Sequence, residues 1–323
     1  MIPLVDVGPL VREDGGREDV AREIGRACRD SGFFYAVGHG VAPELQQRLE
    51  DVHRVFFAQP EAHKLEIRME RGGRAWRGYF PVGAELTSGS PDQKEGIYFG
   101  SELRSNDPRV QRGLPLHGPN LFPEDPPGLR DTVLEYLEEM TRLAHALMRG
   151  IALSLGLEAD WFYDRYTRDP LILFRAFHYP ALRDDTLWSV GEHTDYGLLT
   201  ILRQDDCGGL QVKSGGEWIP APPIEDAFVC NIGDMLDRMT AGRYRSTPHR
   251  VRNLSGRDRI SFPFFFDPGF ETRVLPIDPD ARSPDDADER WDGWSPHTFE
   301  GTYGDYLIGK VSKVFPELGR SEL

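Results

Sequence analysis

The sequence predicts an α+β fold with a mainly β core, a jelly-roll flanked by helices and preceded by a mixed N-terminal region. Three observations predict it. Apolar residues recur at helical spacing in three separate stretches, short β-rich runs follow one another from about residue 171, and turn-forming residues punctuate those runs.

Taken in order, the short extended "IPLVDV" gives way to "EDVAREIGRACRDSG", where Val20, Ala21, Ile24, Ala27 and Cys28 mark one face of a helix that stops at Gly32. "FFYAVGHG" reads as a strand ended by glycines. "APELQQRLEDVHRVFFAQ" returns to helical periodicity with Pro43 near its start. Residues 71–127 are rich in Gly, Pro and Ser and predict long surface loops, the usual setting for a lid. From about Leu129, Val133, Leu134, Leu137, Met140, Leu143, Ala144, Leu147 and Ile151 predict a long packed helix ending near Gly156.

Beyond it, "LILFRAFHY", "GLLTIL", "GLQV", "EWI", "AFVCNI", "HRVRN", "RISFPFFF" and "TRVLP" are separated by turn signals such as "DDCGG" and "SGGE". That spacing suits an antiparallel jelly-roll. "TYGDYLIGKVSKVF" predicts a closing helix. The expected organisation is one integrated unit. Residues 1–128 form a mixed region with substrate-covering loops, and residues 129–323 hold the long helix, a core over about 171–276 and the last helix.

Composition limits the partners. With 323 residues, 39% hydrophobic and 28% charged, the chain suits a globular protein able to bury a core. A formal charge of -15 argues against binding a phosphate backbone. The start "MIPLVDVGPLVRED" has neither a basic segment nor a long apolar one, and no stretch approaches the ~20 apolar residues of a membrane span. The expectation is a cytoplasmic protein without membrane or nucleic-acid partners, acting on a small molecule. The 3 cysteines, Cys28, Cys207 and Cys230, are too few and too far apart for a disulfide framework or thiolate zinc site. Oligomeric state does not follow from the sequence.

"GEHTDYGLLTIL" places His193 and Asp195 two apart at the head of an apolar run. On a strand both would project from one face. An imidazole and a carboxylate need one further nitrogen to complete the 2-His-1-carboxylate arrangement of iron(II) sites, which leaves coordination positions open. Among the 9 histidines, most fall in predicted turns, loops or helices, and His178 alternates with Tyr179 on its strand. His249 in "STPHRVRN" opens a β-rich run and is the candidate third ligand. An HxD tripeptide by itself is more often a hydrogen-bonded surface pair. "RISF" adds weight, because Arg259 and Ser261, again two apart, suit a carboxylate clamp; a surface pairing of Arg259 with Asp258 is the plainer alternative.

Together "GEHTDYGLLTIL", "NIGDMLDRMTAGRYRSTPHRV" and "RISFPFFFDP" resemble the isopenicillin-N-synthase-like family of iron(II)/2-oxoglutarate-dependent dioxygenases. "IPLVDV" and "DSGFFYAVGHGV" resemble its N-terminal region, and "TYGDYLIGKVSKVFPEL" its C-terminal helix. The resemblance implies a double-stranded β-helix in which His193, Asp195 and His249 hold Fe(II). It further implies that Arg259 and Ser261 hold the distal carboxylate of 2-oxoglutarate, with Tyr179 assisting. Phe177 departs from the asparagine that many plant members carry two residues before that tyrosine.

The activity implied uses O2, converts 2-oxoglutarate to succinate and CO2, and oxidises a small molecule, most simply by hydroxylation, with desaturation or ring formation also open. Two other readings are a relative that oxidises its substrate without 2-oxoglutarate and a non-catalytic jelly-roll that binds a small ligand. Tyr79, Tyr98, Arg175 and Phe264 are candidates to line the substrate space, although "FPFFF" also suits core packing. Arg175 shares strand parity with Phe177 and Tyr179, where it would meet an acidic substrate or an internal carboxylate.

Overall fold

The computed structural model describes residues 1–181, 187–281, 286–290 and 292–316. Its strands are β1 (Leu4–Asp6), β2 (Phe33–Val37), β3 (Gly78–Phe80), β4 (Glu95–Gly100), β5 (Leu171–Tyr179), β6 (Val190–His193), β7 (Leu199–Gln204), β8 (Leu210–Ser214), β9 (Glu217–Pro220), β10 (Phe228–Ile232), β11 (His249–Val251) and β12 (Arg259–Asp267). An 8-stranded sheet has the order β1-β2-β10-β7-β12-β5-β4-β3, and a 4-stranded sheet the order β6-β11-β8-β9. These sheets form the jelly-roll. Pairing is antiparallel except between β1 and β2.

Three of the four predicted helices form at Arg17–Asp30, Pro43–Phe57 and Leu129–Ser154. The last has 26 residues and buries Val133, Tyr136, Leu137, Met140, Leu143, Ala144, Leu147 and Ile151. That spacing makes one apolar stripe, and it lies on the outer face of the large sheet. Tyr136 meets Phe174 at 5.4 Å between ring centres, and His145 meets Phe266 at 4.8 Å.

Register decides which side chains reach the interior between the sheets. On β12, Arg259 stands opposite Tyr179 and Ser261 opposite Phe177, whereas Phe264 stands opposite Phe174. Odd-numbered residues of β5 and β12 therefore face inward, and even-numbered ones face the helices. Phe264 is fully buried on the helix side, so it belongs to the core rather than to a substrate wall.

Two expectations are corrected here. Residues 71–127 are not wholly surface loop, because they contain β3 and β4, both buried throughout. Pairing to β5 (Tyr98 with Arg175, Glu95 with His178) on one side and to β3 on the other satisfies the backbone of β4 despite the glycine-rich sequence around it. Gly96 is part of the reason: a Cβ there would lie 2.7 Å from the Phe177 ring and 2.9 Å from Phe80. "TRVLP" forms no strand and contributes only the bridge from Arg273 to Thr302.

The last helix spans Tyr303–Val314 and opens on a capping box between Thr302 and Asp305. Glu317 and Leu318, the end of the predicted C-terminal segment, lie outside the described residues. Among the described residues no helix is long and apolar enough to cross a membrane. Replacing Phe264 by alanine should cost about 3–5 kcal/mol of stability in denaturant unfolding, the usual cost of emptying a buried ring site.

Candidate active site

Adjacent strands of the small sheet bring the two histidines together, for His249 is the register partner of His193. Their ring centres lie 4.2 Å apart. Asp195 arrives differently from the expected strand alternation, because β6 ends at His193 and Asp195 lies in the turn before β7. Its carbonyl oxygen accepts the amide of Asp234 at 2.8 Å. Two residues on, Gly197 has no room for a side chain, since a Cβ would sit 1.4 Å from Asp267 Oδ1.

Each potential ligand is turned so that one donor atom is free. His193 Nδ1 lies 2.8 Å from the Gly191 carbonyl and His249 Nδ1 3.2 Å from that of Thr247, which keeps Nδ1–H on the backbone side and leaves Nε2 as the lone-pair nitrogen. Asp195 Oδ2 accepts Thr200 Oγ1 at 2.6 Å and Asn231 Nδ2 at 2.7 Å. Asp195 Oδ1 then faces the imidazoles, 3.9 Å from His193 Nε2 and 3.7 Å from His249 Nε2. One ligand atom from each residue lies within 4.8 Å of the others.

The local electrostatics favour the ligating forms. Burial drives the Asp195 carboxyl up, but His249, His193, Asn231 and Thr200 outweigh it and hold the group below its ordinary range. Burial, reinforced by His193, pushes His249 down to about 4, against the pull of Asp195, so it is a neutral imidazole at physiological pH.

Arg259, Ser261 and Tyr179 line the same cavity as the His-Asp-His cluster, together with Phe33, Leu210 and Val251. The Arg259 guanidinium is buried and lies 4.7 Å from the centre of the Tyr179 ring. Its Nη2 donates to Gln204 Oε1 at 3.3 Å, while its Nε and Nη1 have no partner. Asp258 does not pair with it, being turned to His178 Nε2 at 3.2 Å and the Ala181 amide at 3.1 Å. Tyr179 Oη and Ser261 Oγ are 3.1 Å apart. Buried donors without acceptors are costly, so this cluster fits a ligand carboxylate.

A second cavity continues from His193 and Asp195 on the other side, walled by Tyr98, Arg175, Phe177, Phe265, Leu307 and Val311 among others. Arg175 and Tyr98, two of the four candidates for the substrate space, line this cavity. Tyr79 and Phe264 do not. Tyr79 points to the helix side, donating to Glu95 Oε2 at 2.5 Å beside Phe56. Phe265, one residue from Phe264, takes the inward position, and strand parity with Arg259 and Ser261 would have identified it. The last helix as a cavity wall carried no comparable signal in the sequence. Outside lies a mouth of about 690 Å³ lined by Trp188, Glu192, His193, Arg290 and Asp292.

A jelly-roll holding two histidines and an acid, with a buried arginine beside them whose Nε and Nη1 lack partners, is the arrangement of a non-haem iron oxygenase. Residues 2–125 match the family described as non-haem dioxygenase in morphine synthesis N-terminal, and residues 170–268 match the 2OG-Fe(II) oxygenase superfamily. A Dictyostelium discoideum protein named "probable iron/ascorbate oxidoreductase" is 50% identical, covering 100% of this chain and 97% of its own. The homoarginine-6-hydroxylase 2-ODD-C23.2 of Arabidopsis thaliana is 36% identical over 98% of this chain and 90% of its own. A full-length Neurospora crassa protein, solved in complex with alpha-KG and thymine, superposes with a TM-score of 0.79 at 28% identity, covering 96% of each chain.

The chain belongs to the 2OG-Fe(II) oxygenase superfamily, in its isopenicillin-N-synthase-like branch. It is an iron(II)/2-oxoglutarate-dependent oxidoreductase that uses O2.

Two consequences can be measured. Asn231→Ala, which removes a hydrogen bond that orients Asp195, should weaken iron(II) affinity about 10–100-fold in metal titrations. Burial raises Asp267, whose Oδ2 accepts Tyr303 Oη at 2.5 Å, from its ordinary 3.8 to about 7. The folded state therefore holds a proton that the unfolded state releases, so the contribution is present below about 4 and is lost as pH rises through about 7. Asp267→Asn should flatten that part of the stability–pH curve in urea unfolding.

Proposed function

We propose that His193, Asp195 and His249 hold the iron(II), and that Arg259, Ser261 and Tyr179 hold 2-oxoglutarate during oxidation of a small-molecule substrate. The observation that carries this reading is the pair of unpartnered buried nitrogens on Arg259, facing a cavity shared with the three candidate ligands. A guanidinium of that kind suits a carboxylate gripped by two parallel hydrogen bonds. The donor set suits iron(II), with two imidazole nitrogens and one carboxylate oxygen.

When bound, iron and 2-oxoglutarate activate O2 and supply the two-electron oxidation of the substrate, with release of succinate and CO2. The chain's own residues position and shield. Thr200 and Asn231 fix which oxygen of Asp195 is offered. The Gly191 and Thr247 carbonyls fix the imidazole tautomers. Arg259 sets the depth of 2-oxoglutarate, Ser261 and Tyr179 give it a direction, and Phe177 and Phe265 separate the reacting centre from water.

Hydroxylation is the simplest outcome and the one we propose, with residues 1–128 and 129–323 acting as one catalytic unit. Its support is that strands from the first region extend both edges of the large sheet. Buried, unpaired Cys28 and Cys230 suit a reducing, cytoplasmic setting. The charge of -15 favours neither nucleic acid nor an anionic membrane surface as partner.

Anaerobic addition of iron(II) and 2-oxoglutarate should give a weak visible charge-transfer band. Asp195→Ala should abolish it together with metal uptake, whereas Arg259→Gln should shift its appearance to much higher 2-oxoglutarate concentration. A band that never forms would favour a binder, and one unaffected by Arg259→Gln would remove that residue from the site.

A further inference from the structure

Arg175 is 6% exposed and lines the inner cavity beside His193 and Asp195. Its guanidinium lies 3.4 Å from the centre of the Tyr98 ring, with the Phe265 ring at 5.7 Å. The hydrogen bonds from its Nη1 are long and end on neutral carbonyls, Phe99 at 3.4 Å and Phe174 at 3.3 Å. Among the described residues no carboxylate pairs with it within the 4.0 Å of an ion pair.

The acids that share this cavity are engaged elsewhere. Glu85 accepts the Tyr98 hydroxyl at 2.5 Å and pairs with Lys94 at 2.9 Å. Lys94 also bonds Asp92, and Asp267 accepts the Tyr303 hydroxyl. The neighbouring cation makes matters worse, because Arg77 is pushed down to about 9 by burial and by Arg175 itself. Other buried cations show the contrast: Lys310 has Asp292 at 2.7 Å and Arg290 has Asp234 at 2.8 Å. A buried charge without a counter-ion is a standing cost that a bound anion removes.

The anion is not 2-oxoglutarate. Tyr179 and Arg175 lie four residues apart on β5, about 13 Å along an extended strand, and they line different cavities. His193 and Asp195 touch both cavities, so the metal position stands between two arginines, Arg259 on one side and Arg175 on the other.

We propose that the substrate is a small molecule bearing a carboxylate, which Arg175 binds through its rim nitrogens while Tyr98 supports the guanidinium face. This rests on the oxygenase reading of the same site. Arg175 then determines specificity: a carboxylate on the substrate supplies the missing counter-charge, and a carboxamide in its place leaves the guanidinium unpaired.

The test uses the full-length iron-loaded protein and a panel of α-amino acids, L-homoarginine included, each beside its carboxamide, with thymine as a ring lacking a carboxylate. Substrate-stimulated succinate release is expected only from carboxylates. Arg175→Gln should raise the KM of a stimulating acid about tenfold or more, and Arg175→Lys should recover part of that loss. The same acids, and not their amides, should raise the melting temperature of the inactive nickel(II) form with 2-oxoglutarate bound.

Stimulation by thymine or by the amides, an unchanged KM in Arg175→Gln, or a panel in which nothing stimulates would overturn the assignment. If Arg175→Gln fails to fold, the acid-against-amide comparison on the unaltered protein decides alone. Failure of the oxygenase reading is distinct, appearing as no iron-dependent succinate release and no charge-transfer band under any condition.

Discussion

The structure depends on the orientation of one carboxylate. Asp195 sits off the end of β6, where nothing in regular strand geometry would fix it, and two hydrogen bonds from Thr200 and Asn231 commit one of its oxygens. The other is thereby offered to the imidazoles. Thr200 comes from β7 and Asn231 from β10, register partners in the large sheet, while the histidines come from the small one. The site therefore exists only where the two sheets close on each other, and the helices packed outside the large sheet serve to hold that closure.

From the same closure follows a division of labour along β5 and β12. Their inward residues run from Arg259 and Tyr179 through Ser261 and Phe177 to Arg175 and Phe265. One strand pair thus reaches from the cavity beside Arg259 to the cavity beside Arg175, and His193 and Asp195 touch both. The outward residues form a separate, mostly apolar layer that fixes the sheet to the Leu129–Ser154 helix.

Much of this was legible in the sequence. Period-two parity placed Arg259 with Ser261 and Arg175 with Tyr179, and the 3.6-residue stripe from Val133 to Ile151 marked the long helix. The family resemblance, with His249 opening a β-rich run, pointed to its meeting His193, although Asp195 reached them through a turn and not through the strand alternation expected. Two misreadings have physical causes. Glycine near "EGIYFG" serves ring packing inside a buried strand, not a loop. Tyr79 lies in the stretch read as a long loop and Phe264 on a strand neighbouring the candidate ligands, but both side chains point to the opposite face. The walls given by Leu307 and Val311 were illegible because contact between a terminal helix and a distant sheet leaves no periodic trace.

That terminal helix bears on how such a scaffold diversifies. Its Tyr306 bonds Asp234, whose backbone amide meets Asp195, and its Tyr303 bonds Asp267 beside Gly197. Leu307, Val311 and Val314, beyond those anchors, are buried in the core and also line the cavity that holds Arg175. Hydrogen-bonding anchors and cavity wall therefore share one short segment, with Tyr303 serving as both. Exchanging Leu307, Val311 or Val314 would change the shape of that cavity while the two tyrosines keep Asp234 and Asp267 in place.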